Sequence, residues 1–311
     1  MKVAETANKA RSTWKAAVNE RFNYNDDNIA ALNSLQFNEE EFDQLTSWNP
    51  LDIVQATADP LPANFTASQK WPNCQQKIER VFDQSYCGSC WAVSTANAMT
   101  DRLCIQSNGA DTRWIAPQDV LEYGSVLPNG CNGGSTVYAH NAFLSRGFAT
   151  GDGYMSTIGC KSYQFPPCTD PSWSSQTVCR QRNTTVTARA ACSASFNGTY
   201  NTSLIKANTV YRLPNNEQAI MQEIFTRGPV TVSMTVYRDF MTYKSGVYVY
   251  TSGTLLGGHA IKMIGWGIQN GVKYWLCVNS WNKYWGEKGF FKIIRGVNHM
   301  KIESSVVAAT F

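Results

Sequence analysis

The sequence predicts an α+β protein built as two lobes, and two patterns lead there. Apolar residues in the first half recur at the three- and four-residue intervals of helices. From Val230 onward the chain becomes a series of β-branched and aromatic runs separated by glycine-containing turns. A helical half followed by a β-rich half implies two packed units, not an alternating α/β sheet. The 311 residues, 43% of them hydrophobic, are enough to bury a sizeable core. No apolar run approaches the roughly 18 residues of a membrane span. The net charge of +4 is too small to argue for nucleic acid.

Along the chain, Trp14, Val18, Phe22, Ile29, Leu32, Leu35, Phe42, Leu45 and Trp48 predict two or more short amphipathic helices, broken near Phe37-Asn-Glu-Glu. Pro50 and the Asp59-Pro-Leu-Pro62 stretch mark a junction. Residues 1–60 carry ten acidic and five basic side chains, leaving 22 basic and 13 acidic for the other 251. An acidic front beside a basic body suggests two pieces that dock, although an acidic solvated tail would read the same on charge alone. Next, Ala92, Ala96, Met99 and Leu103 form a helical stripe stopped by Asn108-Gly109, with Ser89 in the N-cap position and Cys90 in the first turn. Between Cys160 and Cys192 the period disappears into Pro, Ser, Thr and Cys, which predicts a long stapled loop region. The strands follow, with Asn270-Gly271 as a strong hairpin signal.

Ten cysteines and four N-x-[ST] sequons (at Asn64, Asn183, Asn197 and Asn201) point to a secretory, oxidising route. The opening MKVAETANKARSTW has no apolar leader core, so a leader is expected to be missing from this sequence.

The chemistry centres on Gln84-Ser-Tyr-Cys-Gly-Ser-Cys-Trp91. A thiol is nucleophilic as its thiolate, and a helix N-terminus beside a cation lowers its pKa. Cys90 has the helix terminus and needs a base. Cys87-x-x-Cys90 could instead be a redox pair or half of a metal site. However, no second C-x-x-C or H-x3-5-H occurs, and no thioredoxin-like pattern is present. Of three histidines, His140 lies in a helical stretch as a surface or packing residue, and His299 lacks a polar constellation. His259 opens a strand between glycines in GGHAIKMIGWG. The Asn270-Gly271 turn brings Asn279 back toward it, and an amide there would fix the imidazole tautomer. A simple two-residue hairpin leaves these residues about three positions out of register, so a bulge near Gly265 or Gly267 is required.

These segments resemble the papain family, and cathepsin B within it. The resemblance runs from Leu61 through LPANFTASQKW, DQSYCGSCWA, GCNGG at 130–134, KSGVYVY, GGHAIKMIGWG, YWLCVNSWNKYWGEKGFFKI and RGVNHMKIESSVVA. It implies a papain-like two-lobe fold with a helical lobe over about 72–160, an occluding-loop-like insert over about 160–192 and a β-barrel lobe over about 205–311. Residues 1–60 would be a helical inhibitory propeptide crossing the cleft against substrate direction, and 61–311 the peptidase. The implied catalytic set is Cys90, His259 and Asn279, with Gln84 in the oxyanion hole. Gly133, Gly134 and Gly258 would bind substrate backbone, and Trp281 would shield Asn279 and line the primed side. The implied disulfides are Cys74–Cys104, Cys87–Cys131, Cys160–Cys192 and Cys168–Cys179, leaving Cys90 and Cys277 as thiols. The expected protein is a monomeric, cofactor-free and metal-free endopeptidase. It would be lysosomal or secreted, acting on peptides and proteins and held by its own propeptide, with no nucleic-acid or membrane partner. An inert papain-fold binding protein is the alternative.

The chain also departs from that family. Cys90 and His259 are further apart than the roughly 130–150 residues typical of papain-like enzymes, which the insert explains. In cathepsin B a His-His pair follows the cysteine matching Cys168 and receives a substrate carboxylate. Here Thr169-Asp170-Pro171 follows, so carboxydipeptidase activity should be weak or absent. Ser305 stands where the family places an acidic residue at the base of the S2 pocket, which predicts apolar P2 groups. The cysteines that brace the loop before GCNGG are absent from LEYGSVLPNG. Protonation of the acidic front near pH 4–5 would weaken its docking to the basic body.

Overall fold

The computed structural model describes residues 2–10, 13–22, 29, 32–36, 39–47, 60–125, 130–168 and 186–311. Its helices are α1 (Lys2–Lys9), α2 (Glu39–Gln44), α3 (Ala67–Lys70), α4 (Gln75–Ile78), α5 (Cys90–Gln106), α6 (Pro117–Tyr123), α7 (Thr136–Ser145) and α8 (Glu217–Arg227). Its strands are β1 (Trp14–Ala16), β2 (Thr46–Ser47), β3 (Phe65–Thr66), β4 (Gly151–Tyr154), β5 (Lys161–Tyr163), β6 (Thr209–Leu213), β7 (Val230–Tyr237), β8 (Tyr243–Tyr248), β9 (Leu255–Gln269), β10 (Val272–Val278), β11 (Phe290–Ile294) and β12 (Val306–Thr310). No described helix is long and apolar enough to cross a membrane.

The helical lobe forms around α5, which is buried at fifteen of its seventeen positions. A helix buried all round needs apolar or small residues on every face, which the Ala, Val, Met and Leu of this segment supply. Ser89 holds the N-cap position, but its hydroxyl meets Tyr163 Oη at 2.7 Å instead of capping the helix. Gly109, at φ +82°, ends the helix by returning its N–H to the Cys104 carbonyl at 2.7 Å.

The second lobe is a large sheet in the order β1-β8-β11-β10-β9-β7-β12-β6-β2, with β3 on β9. Asn270 and Gly271, both at positive φ, make the β9–β10 turn. Two buried charge clusters fix the helical lobe against this sheet. Asp101 of α5 meets Lys262 of β9 at 2.7 Å. Arg102 of α5 meets Glu223 of α8 at 2.5 Å, the Tyr211 hydroxyl at 2.8 Å and the Ala309 carbonyl at 2.7 Å. Lys262 is three residues beyond His259, so the Asp101 contact ties the helix headed by Cys90 to the strand carrying His259. Removing one member of such a pair leaves a buried charge uncompensated, which costs about 3–5 kcal/mol.

Within the N-terminal segment the described residues include the helix α2 and helical positions at Ile29 and Leu32, while the stretch around Trp14, which shares the helical spacing, is extended. Trp14–Ala16 forms a strand pairing antiparallel with β8, where Trp14 packs on Tyr243 and Tyr248 at 6.1 and 4.9 Å between ring centroids. Thr46–Ser47 adds a parallel strand to β6. Open sheet edges take up this backbone and override the local helical spacing. The junction from Trp48 to Asp59 lies outside the described residues, as do Phe37, Thr169, Asp170, Pro171, Cys179 and Asn183.

Candidate active site

The site forms where the N-terminus of α5 meets β9 and the end of β10. His259 is the fifth residue of β9 and opposes Met234 of β7, so it lies within a long strand and does not open one. The β9–β10 ladder runs from Val272–Gln269 to Leu276–Gly265, then shifts so that Cys277 faces Met263 and Val278 faces Lys262. Ile264 is the extra residue of a bulge beside Gly265. Without it, the three-residue offset would leave Asn279 and His259 on opposite faces, because side chains alternate with a period of two. The bulge reduces the offset to two and makes them diagonal neighbours on one face.

The resulting contact is His259 Nε2 to Asn279 Oδ1 at 2.8 Å. Asn279 Oδ1 also accepts the Ser280 backbone N–H at 2.8 Å, which identifies that atom as the oxygen. Nε2 must therefore carry the proton it donates. Nδ1 is left with the lone pair and makes no hydrogen bond among the described residues. Trp281 stacks over the imidazole at 4.6 Å and 28°, and Asn279 is buried beside it.

Cys90 is wholly buried, and the nearby backbone N–H groups of Ala260, Trp91, Cys90 and Ser34 offset part of the effect of that burial on its thiol. Ala260 is the neighbour of His259, so thiol and imidazole share one corner of the cleft. Burial pushes the thiol up to about 11 and holds His259 down to about 4, the Asn279 contact offsetting only part of the latter. Both groups are neutral in this closed form.

The N-terminal segment closes the cleft. Ser34 and Leu35 form parallel bridges with Gly258 and Gly134. Leu35 N–H donates to Gly258 O at 3.1 Å, and Gln36 N–H to Gly134 O at 2.8 Å. A Cβ on Gly133 would fall 2.0 Å from Ser34 O, so only glycine permits this approach. Gln84 Nε2 donates to Leu32 O at 3.3 Å and Cys87 O at 2.8 Å, while its Oε1 accepts the Ser280 hydroxyl at 2.6 Å. Ser305 is buried, and its carbonyl accepts the Ser233 N–H at 3.0 Å. Ser233 Oγ lies 3.4 Å from Thr136 Oγ1, while the buried Ser305 hydroxyl makes no hydrogen bond among the described residues.

Disulfides join Cys74–Cys104, Cys87–Cys131 and Cys160–Cys192, and Cys168 is also disulfide-bonded. Cys90 and Cys277 are free thiols, both buried. Among the described residues no group of acidic, His or Cys side chains could hold a metal ion. His140 is buried in α7 with Nδ1 2.7 Å from Thr136 O, a packing position.

Sequence reasoning missed Ser280, whose hydroxyl orients Gln84. Its place beside Asn279 was the available signal. Reasoning from charge also missed Arg21 and Asp83, which pair across the junction between the two pieces at 2.8 Å with side chains 3% and 6% exposed. That polarity is the reverse of an acidic front on a basic body. The exposed Asp43–Arg212 pair at 3.1 Å has the expected polarity.

This arrangement, a buried thiol on a helix N-terminus beside an asparagine-oriented imidazole, defines a cysteine peptidase fold. The papain family cysteine protease domain matches residues 61–310, and the chain belongs to that family. Within it the chain is cathepsin B-like and in proenzyme form. It is 41% identical over 265 residues to cathepsin B-like cysteine proteinase 5 of Caenorhabditis elegans, covering 83% of this chain and 77% of that one. It is 35% identical over 296 residues to a cathepsin B-like cysteine proteinase of Schistosoma japonicum, covering 95% and 85%. Among solved structures it is similar to proCathepsin B S9 from Trypanosoma congolense. The TM-score is 0.83 at 29% identity, over 99% of this chain and 96% of that one.

Proposed function

We propose that the mature enzyme is an endopeptidase of Cys-His-Asn mechanism, spanning residues 61–311 and released from an inhibitory propeptide of residues 1–60. The observation that carries this reading is the His259–Asn279 bond, which leaves Nδ1 as the basic nitrogen. In the open enzyme Nδ1 takes the Cys90 proton and the sulfur attacks the peptide carbonyl carbon. The oxyanion is held by Gln84 Nε2 and the Cys90 backbone N–H. As the C–N bond breaks, His259 passes the proton to the leaving amine. Water, activated by the same imidazole, then hydrolyses the thioester.

The closed form supports this assignment by what fills each place. The Leu32 carbonyl takes the amide of Gln84, and the Ser34 N–H lies near the sulfur. A segment that presents an N–H to the nucleophile offers it no electrophilic carbon, which accounts for inhibition without cleavage. Leu35 lies against Gly258, an apolar side chain beside the acyl-side glycines, in keeping with an apolar P2 preference over the uncharged Ser305. The Thr169-Asp170-Pro171 sequence supports weak or absent carboxydipeptidase action. The cysteines and sequons support a lysosomal or secreted protein. Turnover of quenched peptides with P2 Phe, Leu or Arg tests the reading, alongside dipeptide release from an N-blocked peptide. Cleavage that survives Cys90→Ser defeats the mechanism. Equal use of P2 Arg and Phe defeats the specificity, and dominant dipeptide release defeats the endopeptidase assignment.

A further inference from the structure

The propeptide fills a place that the mechanism above does not use. Asp83 immediately precedes Gln84 and forms an isolated backbone bridge with Trp281. Its carboxylate is buried and held by three donors: the Ser85 N–H at 2.7 Å, the Cys168 N–H at 2.9 Å and Asn282 Nδ2 at 3.1 Å. Arg21 Nη1 reaches both oxygens, at 2.8 and 2.9 Å, and Arg21 Nη2 donates to the Ser85 carbonyl at 2.8 Å. The next residue, Phe22, packs edge-on against Trp281 at 5.2 Å. A guanidinium thus sits in a preformed socket, with its neighbour on the tryptophan that covers the catalytic imidazole. Part of a cavity of about 340 Å³ continues outward from Asp83, Cys168 and Asn282.

When residues 1–60 leave, this carboxylate keeps its three donors and loses its cation. Among the described residues the other cations lining the cavity are placed elsewhere: Arg80 pairs with Asp152 at 2.8 Å, and Lys283 is exposed over the Tyr284 ring. The position on the reaction path follows from chemistry. His259 delivers its proton to the leaving amine, so the leaving chain departs along the His259–Trp281 wall, where Asp83 lies. The acyl chain lies on the other side, along Gly134 and Gly258, where Leu35 and Gln36 now sit.

We propose that Asp83 is a specificity-determining receptor for a basic side chain on the leaving-group side of the scissile bond, and that Arg21 occupies it in the proenzyme as an internal stand-in. The proposal rests on the peptidase reading above. Arginine suits the socket better than lysine, because two carboxylate oxygens and one carbonyl match a planar fork of donors.

The test uses mature enzyme and internally quenched peptides with a constant apolar P2. Arg or its neutral isostere citrulline is placed at each of the first three leaving-side positions. At one of these positions kcat/KM for Arg should exceed that for citrulline by about tenfold or more, the scale of a charged hydrogen-bonded contact. Asp83→Asn should bring that ratio close to one on whatever activity it retains. A ratio near one at all three positions in the wild type overturns the proposal, as does a preference that persists in Asp83→Asn. If that variant does not fold, the wild type decides: Arg must be favoured over citrulline on the leaving side and not when moved to the P2 or P3 position. Failure to cleave any peptide overturns the peptidase reading and this inference with it, which separates the two failures.

Discussion

Opening the cleft should change the charge state of Cys90, and the size of that change can be worked from its surroundings. In the proenzyme the sulfur is completely buried and its pKa stands at about 11. At pH 7 about one molecule in ten thousand then carries a thiolate, and at pH 9 about one in a hundred. Once Leu32–Gln36 leave, water reaches the sulfur, and the helix N-terminus and His259 act on it without that desolvation. A thiol so placed has a pKa of roughly 3.5–7.5, so about a quarter or more of the population is ionised at pH 7. The predicted gain in thiolate is therefore at least about a thousandfold. Ultraviolet thiolate absorbance reads this directly. Subtracting the matching Cys90→Ser protein removes the contribution of Cys277, which is buried and pushed well above its ordinary value. The difference signal should be silent in intact proenzyme from pH 5 to 9; after propeptide removal it should reach about a quarter or more of full amplitude at pH 7 and near full amplitude by pH 9. A proenzyme that shows the mature amplitude across that range would refute the reasoning. Inhibition would then lie in blocked access alone.

Further outcomes follow from the same contacts. Arg21→Gln removes the cation from a buried, oriented carboxylate; epoxide labelling of the proenzyme at pH 7 should accelerate about tenfold or more, with Arg21→Lys intermediate, and an unchanged rate would remove Arg21 from the lock. Ser280→Ala frees the Gln84 amide to rotate, so kcat of the mature enzyme should fall about tenfold with KM nearly constant; a fall carried by KM would contradict the orienting role. His259 and His140 are both held down to about 4 by burial, below the ordinary 6.5. Between those values the unfolded chain binds more protons than the folded one. The stability each contributes is whole above pH 6.5 and is lost as pH falls toward 4, on the order of 3 kcal/mol apiece. Melting of Cys90→Ser proenzyme from pH 7 to 4.5 should show this decline, with a shallower slope when His259 is replaced by Gln; equal slopes would count against the linkage.

Much of this site was legible in the sequence because local patterns write it. The helix behind Cys90, its stop at Asn108-Gly109 and the Asn270-Gly271 hairpin all follow from the backbone preferences of a few residues. Register arithmetic on that hairpin even required the bulge found at Ile264. The N-terminal segment was not legible in the same way. Trp14 and Phe22 have helical spacing, yet Trp14 is in a strand because β8 offers an open edge and two tyrosines to pack on. No property of residues 13–22 alone encodes that edge.

The net charge of the segment leaves open where its docking energy lies. A net charge of −5 over residues 1–60 predicts attraction to a basic body, and protonation of its carboxylates as the release. Surface pairs of that kind, such as Asp43–Arg212, are worth at most about 1 kcal/mol. Among the described residues the buried charge contact is Arg21 on Asp83, whose acidic member belongs to the enzyme and faces the cleft. The position of a charge therefore matters more here than the sum of charges. A carboxylate held by three donors beside the tryptophan that covers His259 keeps its use after the propeptide leaves, whereas an exposed pair at the rim does not. If the lock depended on net charge, neutralising Glu39, Glu40 and Asp43 together would release the enzyme as effectively as Arg21→Gln. The geometry requires the opposite ranking, and epoxide labelling of the two proenzymes side by side decides between them.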